Sequence, residues 1–368
     1  MRNLTGTCFA LAAAALLALL LLSPVPAAAQ GCSGIHRVEQ AFPTAGPEET
    51  RWIVCWLPMK GPGLVITGAF FRKTPTSPWI RVLWDARVAE IFVPYHVPNQ
   101  NDRFFDVGFG FDWVRLTATE CLNGTLLGAG PHHNDICKLV RDRGLAWMDY
   151  ASARRGEELV LWGAIGADNY NYITEWTFRD DGVIEGRVGS TAEVLPGAET
   201  TNHTHDVTWR LDLDINGFAN DSVDLMSHNV AGLNESDTVT NVASEAGLTW
   251  DPQHFHSLFI HDANLKNGQN HTTMYDLMPM RYGNQRHQET YSGNDLWVTL
   301  FNPTELRPRR LPSYINPPQN VHNADVVVWY TSAAHHFVRD EDEKETLLMW
   351  VGFMLKPHDL FDSTPLYP

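Results

Sequence analysis

The feature that most constrains the fold of this chain is a long series of short β-type segments separated by turn residues. Residues 51–57, 64–67 and 80–84 are rich in β-branched and aromatic side chains, and each is bounded by proline or glycine. Further strands are expected at residues 158–162, 172–178, 183–188, 206–214, 296–301, 326–331 and 347–355. Amphipathic helices of useful length are scarce. The pattern therefore predicts an all-β protein built as a large sandwich of antiparallel sheets.

Turn and connection signals set the expected domain boundaries. The run Arg179-Asp180-Asp181-Gly182 separates two predicted strands and is typical of a hairpin turn, because Asp-Gly tolerates positive φ. Residues 30–50 are expected to form an irregular lead-in, and residues 308–318 a long surface connection. These boundaries leave residues 51–368 as the main folded part, and a chain of 368 residues suggests one large domain or two ordinary ones.

The first residues predict a secreted, extracellular protein. Arg2 is followed by an apolar stretch from Cys8 to Leu22, and the segment then ends in small residues up to Ala29. A basic start, an apolar centre and an Ala-x-Ala end are typical of a signal peptide, here residues 1–29. The apolar stretch is too short to favour a stable membrane span.

The cysteines and glycosylation triplets agree with an oxidising compartment. Four cysteines follow the predicted signal peptide, and proximity favours the pairs Cys32–Cys55 and Cys121–Cys137. A four-thiolate zinc site is the alternative, but the chain has no Cys-x2-Cys pair. Acceptor triplets for N-linked glycans stand at Asn123, Asn202, Asn220, Asn234 and Asn270.

The charge balance argues against one class of partner. The chain has 27 Lys and Arg against 43 Asp and Glu, which gives a net charge of −16. A nucleic-acid-binding protein would normally carry a basic face, so nucleic acid is an unexpected partner. An acidic surface instead attracts metal ions and protonated amines, although it also serves solubility alone.

Histidine pairs supply the candidate metal ligands. His203 and His205 are two residues apart at the start of a predicted strand, so both imidazoles can face one ion. His-x-His on a strand suits copper or zinc, although an exposed polar strand end is an equal alternative. A third ligand could come from His335 or His336, which follow another predicted strand.

Three other segments carry weaker signals. His254-Phe255-His256 is a rival histidine pair in a polar, loop-like region. Asp106 lies among aromatic residues, where a carboxylate can act as a general base, but it could equally be a solvated turn residue. Asn169-Tyr170-Asn171-Tyr172 is by itself only the aromatic start of a strand.

Taken in order, these segments resemble the catalytic domain of the copper amine oxidases. Residues 87–95 resemble the family's entry motif, and Asp106-Val107-Gly108 its Asp-x-Gly block. Residues 169–172 resemble the cofactor motif Asn-Tyr-Asp/Glu-Tyr, with Asn171 where the family has an acid. His203-Thr204-His205, residues 335–342 and residues 352–357 complete the series, which runs from about residue 50 to the C-terminus.

The resemblance implies a role for each matched residue. Tyr170 would be converted to topaquinone, the carbonyl that forms a Schiff base with the amine, and Asp106 would be the proton acceptor. The remaining implied roles are copper binding by His203, His205 and His336, a hydrogen bond to the quinone from Tyr95, support of the ring by Asn169, and a substrate gate at Phe104.

The resemblance also implies features outside the catalytic centre. A second divalent ion, for which Ca2+ is the candidate, would bind at Asp212, Leu213, Asp214, Asp325 and Val326. Cys121–Cys137 would be the family's bridge below the active-site entrance. The fold would be the family's super-sandwich, paired as a homodimer and lacking the smaller domains that usually precede it.

The implied activity is oxidation of small primary amines by O2 to aldehydes, with release of H2O2 and ammonia. Two alternatives remain at the level of sequence. One is an inactive copper-binding relative that serves as an extracellular binding module, and the other is a β-sandwich glycoprotein with incidental histidines. Copper content distinguishes the last from the others, and reaction with phenylhydrazine distinguishes the enzyme from the binding module.

Overall fold

The chain forms a series of antiparallel strands in a computed structural model, and several of them are buried on both faces, among them Gly63–Arg72, Asp85–Val93, His203–Asp212 and Val326–His336. The structure describes residues 32, 34–95, 103–106, 112–128, 133–167, 169–250, 255–280, 289–342 and 346–366. The strands are β1 (Arg37–Phe42), β2 (Thr50–Met59), β3 (Gly63–Arg72), β4 (Ile80–Leu83), β5 (Asp85–Val93), β6 (Arg103–Asp106), β7 (Asp112–Val114), β8 (Thr125–Leu127), β9 (Ile136–Met148), β10 (Ala153–Ala167), β11 (Tyr170–Arg179), β12 (Ile184–Ala192), β13 (His203–Asp212), β14 (Asp221–Ala231), β15 (Asn234–Asn241), β16 (Ala246–Leu248), β17 (Phe255–Lys266), β18 (Thr272–Met280), β19 (Leu296–Leu300), β20 (Val326–His336) and β21 (Thr346–His358). The short helix α1 (Leu311–Tyr314) and the 3-10 segments Gly34–His36, Pro308–Arg310 and Asp340–Asp342 complete the described elements.

The strands form two large sheets. Sheet A has ten described strands in the order β1-β2-β3-β5-β13-β20-β19-β16, with β4 beside β3 and β6 beside β5. Sheet B has eleven in the order β15-β14-β17-β18-β21-β12-β11-β10-β9-β8, with β7 beside β10. The predicted all-β antiparallel sandwich is confirmed.

The core lies between the two sheets and is dominated by aromatic side chains. Trp209 of sheet A meets Trp176 and Phe353 of sheet B, with ring centroids 5.4 and 5.2 Å apart. All three side chains are fully buried or nearly so. Edge-to-face contacts of this kind add to the free energy gained from burial, so the two sheets are held together here.

The inner face of the sandwich changes from apolar to polar along β13. Val207, Trp209 and Leu211 are buried in the core, and His203 and His205 continue the same alternation toward the start of the strand. Because side chains two residues apart share a face, the histidines lie at one end of the hydrophobic core.

Two segments differ from their predicted irregular character. Within the expected lead-in, Arg37–Phe42 pairs with β2 because Val38 and Phe42 are buried against the core. Within residues 308–318, Leu311 is fully buried in a small apolar cluster on the outer side of sheet A. In both segments, tertiary packing overrides a weak local pattern.

The hairpin between β11 and β12 has the predicted turn. The backbone N–H of Gly182 donates to Arg179 O at 3.1 Å, and Gly182 has a φ of +88°. This conformation is unfavourable for residues with a side chain, which explains the glycine at this position.

Both disulfides predicted by proximity are present. Cys32–Cys55 joins the start of the described chain to β2, and Cys121–Cys137 joins a turn to β9. Gly124 packs against the second bridge, since a Cβ there would lie 2.6 Å from Cys121 Sγ. Within the described residues, no helix is both long and apolar enough to cross a membrane.

Replacing Gly186 by alanine tests the packing of the two sheets. A Cβ at this position in β12 would lie 2.7 Å from the Phe353 ring and 3.0 Å from the Trp176 ring. We expect Gly186→Ala to lower the free energy of unfolding by about 1–3 kcal/mol, measured by denaturant titration. The matched control is Gly166→Ala in β10, where a Cβ meets nothing closer than 3.5 Å. Equal stability of the two variants would contradict the packing described here.

Candidate functional site

Three histidines from two neighbouring strands come together at the polar end of the core. His203 lies directly opposite His336 in the antiparallel pairing of β13 with β20, and His205 lies opposite Ala334. One ring nitrogen from each of the three histidines lies within 4.8 Å of the others. All three side chains are at most 4% exposed. The small Ala334 leaves the space into which the imidazoles converge.

Hydrogen bonds on the outer side fix which nitrogen of two imidazoles faces inward. His203 Nδ1 donates to the Thr201 carbonyl at 2.8 Å, which leaves the lone pair on Nε2. His336 Nε2 is 3.3 Å from Asp342 Oδ2, so Nδ1 is the nitrogen that faces the other imidazoles. The Asp342 carboxylate is itself held by Arg339 through two side-chain hydrogen bonds. Partners of this kind orient metal-bound histidines.

His205 shows most directly that these residues suit a metal ion. Its Nδ1 is 3.0 Å from the Tyr172 hydroxyl, whereas its buried Nε2 has no hydrogen-bond partner among the described residues. A buried nitrogen without a partner is costly unless it binds something. Burial lowers the pKa of His205 well below 6.5 and that of His203 to about 4. Neutral imidazoles are the form that binds copper or zinc.

Tyr170 points into the same cluster from the opposite sheet. Its hydroxyl is 3.1 Å from His203 Nε2 and 3.1 Å from His336 Nδ1. Burial, and then the neighbouring Tyr95, raises the pKa of Tyr170 well above 10. The Tyr95 ring packs on His203 with the centroids 4.6 Å apart. The hydroxyl of Tyr170 is therefore the oxygen that lies next to two of the three candidate metal ligands.

Several other predicted site residues have defined positions. Asn169 donates a side-chain hydrogen bond to the Glu193 carbonyl at 2.8 Å, which anchors the start of β11. Asn171 lies between Gly166 and Thr191 in the sheet. His335 packs on Phe337, with ring centroids 4.0 Å apart, and is absent from the group of three.

Other predicted residues are placed only in part. Asp106 and Phe104 lie in β6, with their Cα atoms opposite Glu90 and Phe92 of β5, while their side chains lie outside the described part of the structure. Of the rival pair, His254 lies outside the described residues, and His256 lies beside Trp250 at 6.0 Å between ring centroids.

A second cluster lies at the other end of β13. One carboxylate oxygen each from Asp212, Asp214 and Asp325 lie within 4.8 Å of one another. Burial, the largest cause, raises the pKa of Asp212 to about 8 and those of the other two to about 6. The other two predicted contributors are also buried: Leu213 lies between Asp212 and Asp214 in the sequence, and Val326 follows Asp325. Buried carboxylates this close together favour a cation.

Sequence reasoning missed three partners of the histidines. Thr201 and Asp342 hold His203 and His336, and the Tyr172 hydroxyl contacts His205 Nδ1. Asp342 lies six residues after His336 in the sequence, and this spacing indicates a contact between the two side chains only if the chain is known to turn back between them. The 3-10 segment Asp340–Asp342 makes that turn.

Comparison with known proteins identifies related enzymes. Residues 131–367 match the family model described as copper amine oxidase, enzyme domain. A primary amine oxidase from Arthrobacter sp. (strain P1) is 28% identical over 286 residues, covering 63% of this chain and 44% of that protein. Primary amine oxidase 2 of Arabidopsis thaliana is 25% identical over 372 residues, covering 82% and 55%. The chain spans about half the length of the curated relatives it matches.

Solved structures show the same fold. A copper-containing benzylamine oxidase from Hansenula polymorpha has a TM-score of 0.70 and 19% identity, covering 86% of this chain and 61% of that chain. A lysyl oxidase from Pichia pastoris has a TM-score of 0.70 and 17% identity, covering 86% of this chain and 53% of that chain. At these identities, the likeness concerns the fold alone.

The contact between Asp342 and His336 generates a prediction for metal affinity. Asp342→Asn removes the negative charge behind the imidazole, so we expect copper to bind about 10–100-fold more weakly. Competition with a chelator of known affinity measures this change. Asp340→Asn, an exposed position two residues earlier, is the matched control and should bind copper as the wild type does. Unchanged affinity in Asp342→Asn would show that this carboxylate does not support the ligand.

Proposed function

The chain belongs to the copper amine oxidase family, and we propose that it oxidises primary amines to aldehydes with copper and a topaquinone formed from Tyr170. The observation that carries the proposal is the position of the Tyr170 hydroxyl, 3.1 Å from both His203 Nε2 and His336 Nδ1. A tyrosine oxygen in contact with two metal ligands is where copper could direct O2 to the phenol ring.

The proposed reaction balances as follows. The amine R-CH2-NH2 gives up two electrons and two protons, water supplies the aldehyde oxygen, and nitrogen leaves as ammonia. O2 accepts the two electrons and two protons and becomes H2O2. Copper and the quinone supply the redox chemistry and an electrophilic carbonyl.

The chain's own residues would bind and orient these groups. His203, His205 and His336 would hold copper, because each is buried, neutral and directed toward a common point. Thr201 and Asp342 would keep two of the rings in the required orientation. Burial of the three imidazoles in the sandwich would strengthen electrostatic interactions among the ligands, the metal and Tyr170.

Four residues would act around the reacting ring and its entrance. Tyr95 packs on His203 and interacts with Tyr170, so it can donate a hydrogen bond to an oxygen of the quinone. Asn169 fixes the backbone before Tyr170 through Glu193. Asp106 would take the substrate proton, and Phe104 would line the entrance, as the family's order of motifs implies.

The proposal extends to the protein's setting. The N-terminal pattern supports secretion into an extracellular compartment, and the two disulfides suit such a compartment. We include in the proposal a homodimer, glycans at the predicted acceptor triplets, and a Ca2+ ion at Asp212, Asp214 and Asp325. The acidic cluster supports the last of these.

One substitution favours a second candidate function. Asn171 replaces an acidic residue of the family's cofactor motif, and a neutral amide there changes the charge beside the reacting ring. A copper-binding extracellular module without turnover is the function that would remain if the quinone failed to form.

Tyr170→Phe tests cofactor formation. Because phenylalanine has no oxygen beside the copper ligands, we expect copper to bind but no visible quinone band and no reaction with phenylhydrazine. Tyr150→Phe is the control, since Tyr150 is fully exposed on the β9–β10 hairpin. Wild-type protein that binds copper in air and never develops the band would favour the binding module.

Asp106→Asn tests the proposed base. Loss of a general base slows the chemical step by roughly 10^2–10^4-fold, so we expect the quinone band to persist while aldehyde and H2O2 release falls by that factor. Asp112→Asn, at the exposed first residue of β7 in sheet B, is the control. Full activity in Asp106→Asn would remove Asp106 from the mechanism.

A further inference from the structure

A fourth aspartate, Asp221, is tied through its backbone to the residue before Asp325, although it is not one of the three whose carboxylate oxygens lie within 4.8 Å of one another. Asp221 is the first residue of β14 in sheet B. Its backbone N–H and C=O each make a 3.0 Å hydrogen bond with Ala324, the residue immediately before Asp325. This isolated bridge joins the start of β14 in sheet B to the residues just before β20 of sheet A, one of which is Asp325.

The carboxylate of Asp221 is buried without a hydrogen-bond partner. The residue is 0% exposed, and neither carboxylate oxygen has a hydrogen-bond donor among the described residues. The same holds for both oxygens of Asp212 and for Oδ1 of Asp325. A native structure rarely leaves so many buried oxygens in one place without a cation or ordered water.

The surrounding negative charges make an ionised Asp221 still less favourable. Burial and then the charges of Asp214, Asp262, Asp325 and Asp212 raise the pKa of Asp221 to about 9. Two arginines lie nearby: Arg81 pairs with Asp214 at 2.9 Å, and Arg210 lies 3.2 Å from Asp85 and 3.8 Å from Asp212. Neither of them forms an ion pair with Asp221 among the described residues.

Asp262 differs from the other acids, because its Oδ1 accepts the backbone N–H groups of Asn264 and Leu265. Its carboxylate is therefore already hydrogen-bonded to the backbone of β17 two and three residues further along. Protonation of Asp221 would let it donate one O–H to a neighbouring carboxylate, but the other unpartnered oxygens of Asp212 and Asp325 would remain. A bound cation satisfies the unpartnered oxygens of the cluster at once.

We propose that Asp221 is a fourth carboxylate of the cation site formed by Asp212, Asp214 and Asp325. This inference rests on the Ca2+ site proposed above, and it assigns to that site a residue from sheet B. The ion then links both sheets, with three carboxylates from sheet A and its connections and one from β14.

Four carboxylates predict the kind of ion. Ca2+ accepts six to eight oxygen ligands in flexible geometry, whereas Mg2+ requires a near-ideal octahedron and keeps several waters. A crowded set of carboxylates from two sheets suits the larger ion. We therefore expect preference for Ca2+, and for Tb3+ as its luminescent substitute, over Mg2+.

The test compares the wild type with four variants of the mature protein, each freed of Ca2+ over a chelating resin and reloaded with copper. Calorimetric titration with Ca2+ and luminescence titration with Tb3+ measure affinity, and thermal unfolding is recorded with and without Ca2+. Asp221→Asn should lower the Ca2+ affinity at least about tenfold, because affinity in such sites follows the number of charged ligands. Asp224→Asn, three residues further along β14 and paired with His261, should bind as the wild type does.

Thermal unfolding distinguishes a ligand from a residue that merely supports the fold. Without Ca2+, Asp221→Asn removes repulsion among the carboxylates, so this variant should unfold at the wild-type temperature or higher. Saturating Ca2+ should raise its unfolding temperature by less than it raises that of the wild type. Asp221→Ser should behave in the same way. Unfolding of both variants below the wild type without Ca2+ would overturn the proposal in favour of a structural role.

Asp325→Asn separates the two levels of the inference. In one outcome, the wild type binds Ca2+, Asp325→Asn abolishes binding, and Asp221→Asn leaves the affinity unchanged. The cation site is then correct, and the proposed role of Asp221 is wrong. If the wild type binds no Ca2+, the site itself is wrong and Asp221 falls with it. Neither result tests the proposed copper site or the quinone, because copper binding and quinone formation are measured separately by their visible absorption.

Discussion

The pairing register of β13 with β20 is the constraint on which the candidate metal centre depends. His203 stands directly opposite His336 in this pairing, and Tyr170 reaches both imidazoles from the other sheet. A slip of one residue would turn every side chain of β13 to the opposite face, removing both histidines from the site and Trp209 from the core together. The free energy of burying the core therefore also fixes the positions of the metal ligands.

Burial gives the imidazoles their chemistry as well as their positions. The low pKa values of His203 and His205 keep both rings neutral, so their lone pairs are available to a metal without displacing protons. The same burial keeps the phenol of Tyr170 protonated in the metal-free protein. A metal ion held by the three imidazoles would be the added charge that could change this state, so binding of the ion and the chemistry of the phenol would be coupled in the proposed function.

Local sequence patterns predicted the parts of the structure that depend on near neighbours. The two-residue spacing of His203 and His205, the Asp-Gly turn at Gly182 and the all-β class follow from backbone geometry over a few residues. The third ligand, His336, and the role of Tyr170 came from the order of family motifs. Contacts between distant segments, such as His336 with Asp342 across a turn or Asp221 with Ala324 between sheets, leave no periodic trace in the sequence. For the same reason β1 was read as irregular, since its pairing with β2 becomes visible only in three dimensions.

The two candidate sites lie at opposite ends of the same pair of strands. His205 and Asp212 are seven residues apart on β13, which at about 3.3 Å per residue places the copper ligands and the acidic cluster some 23 Å apart. On β20 the order is matched, with Asp325 just before its first residue and His336 at its last. An ion held by Asp212 and Asp325 would join the two strands at the far end, and Asp221 would join β14 to the same point. Such a link opposes slippage of β13 against β20, so the acidic site would support the copper site through the strand register rather than through any direct contact.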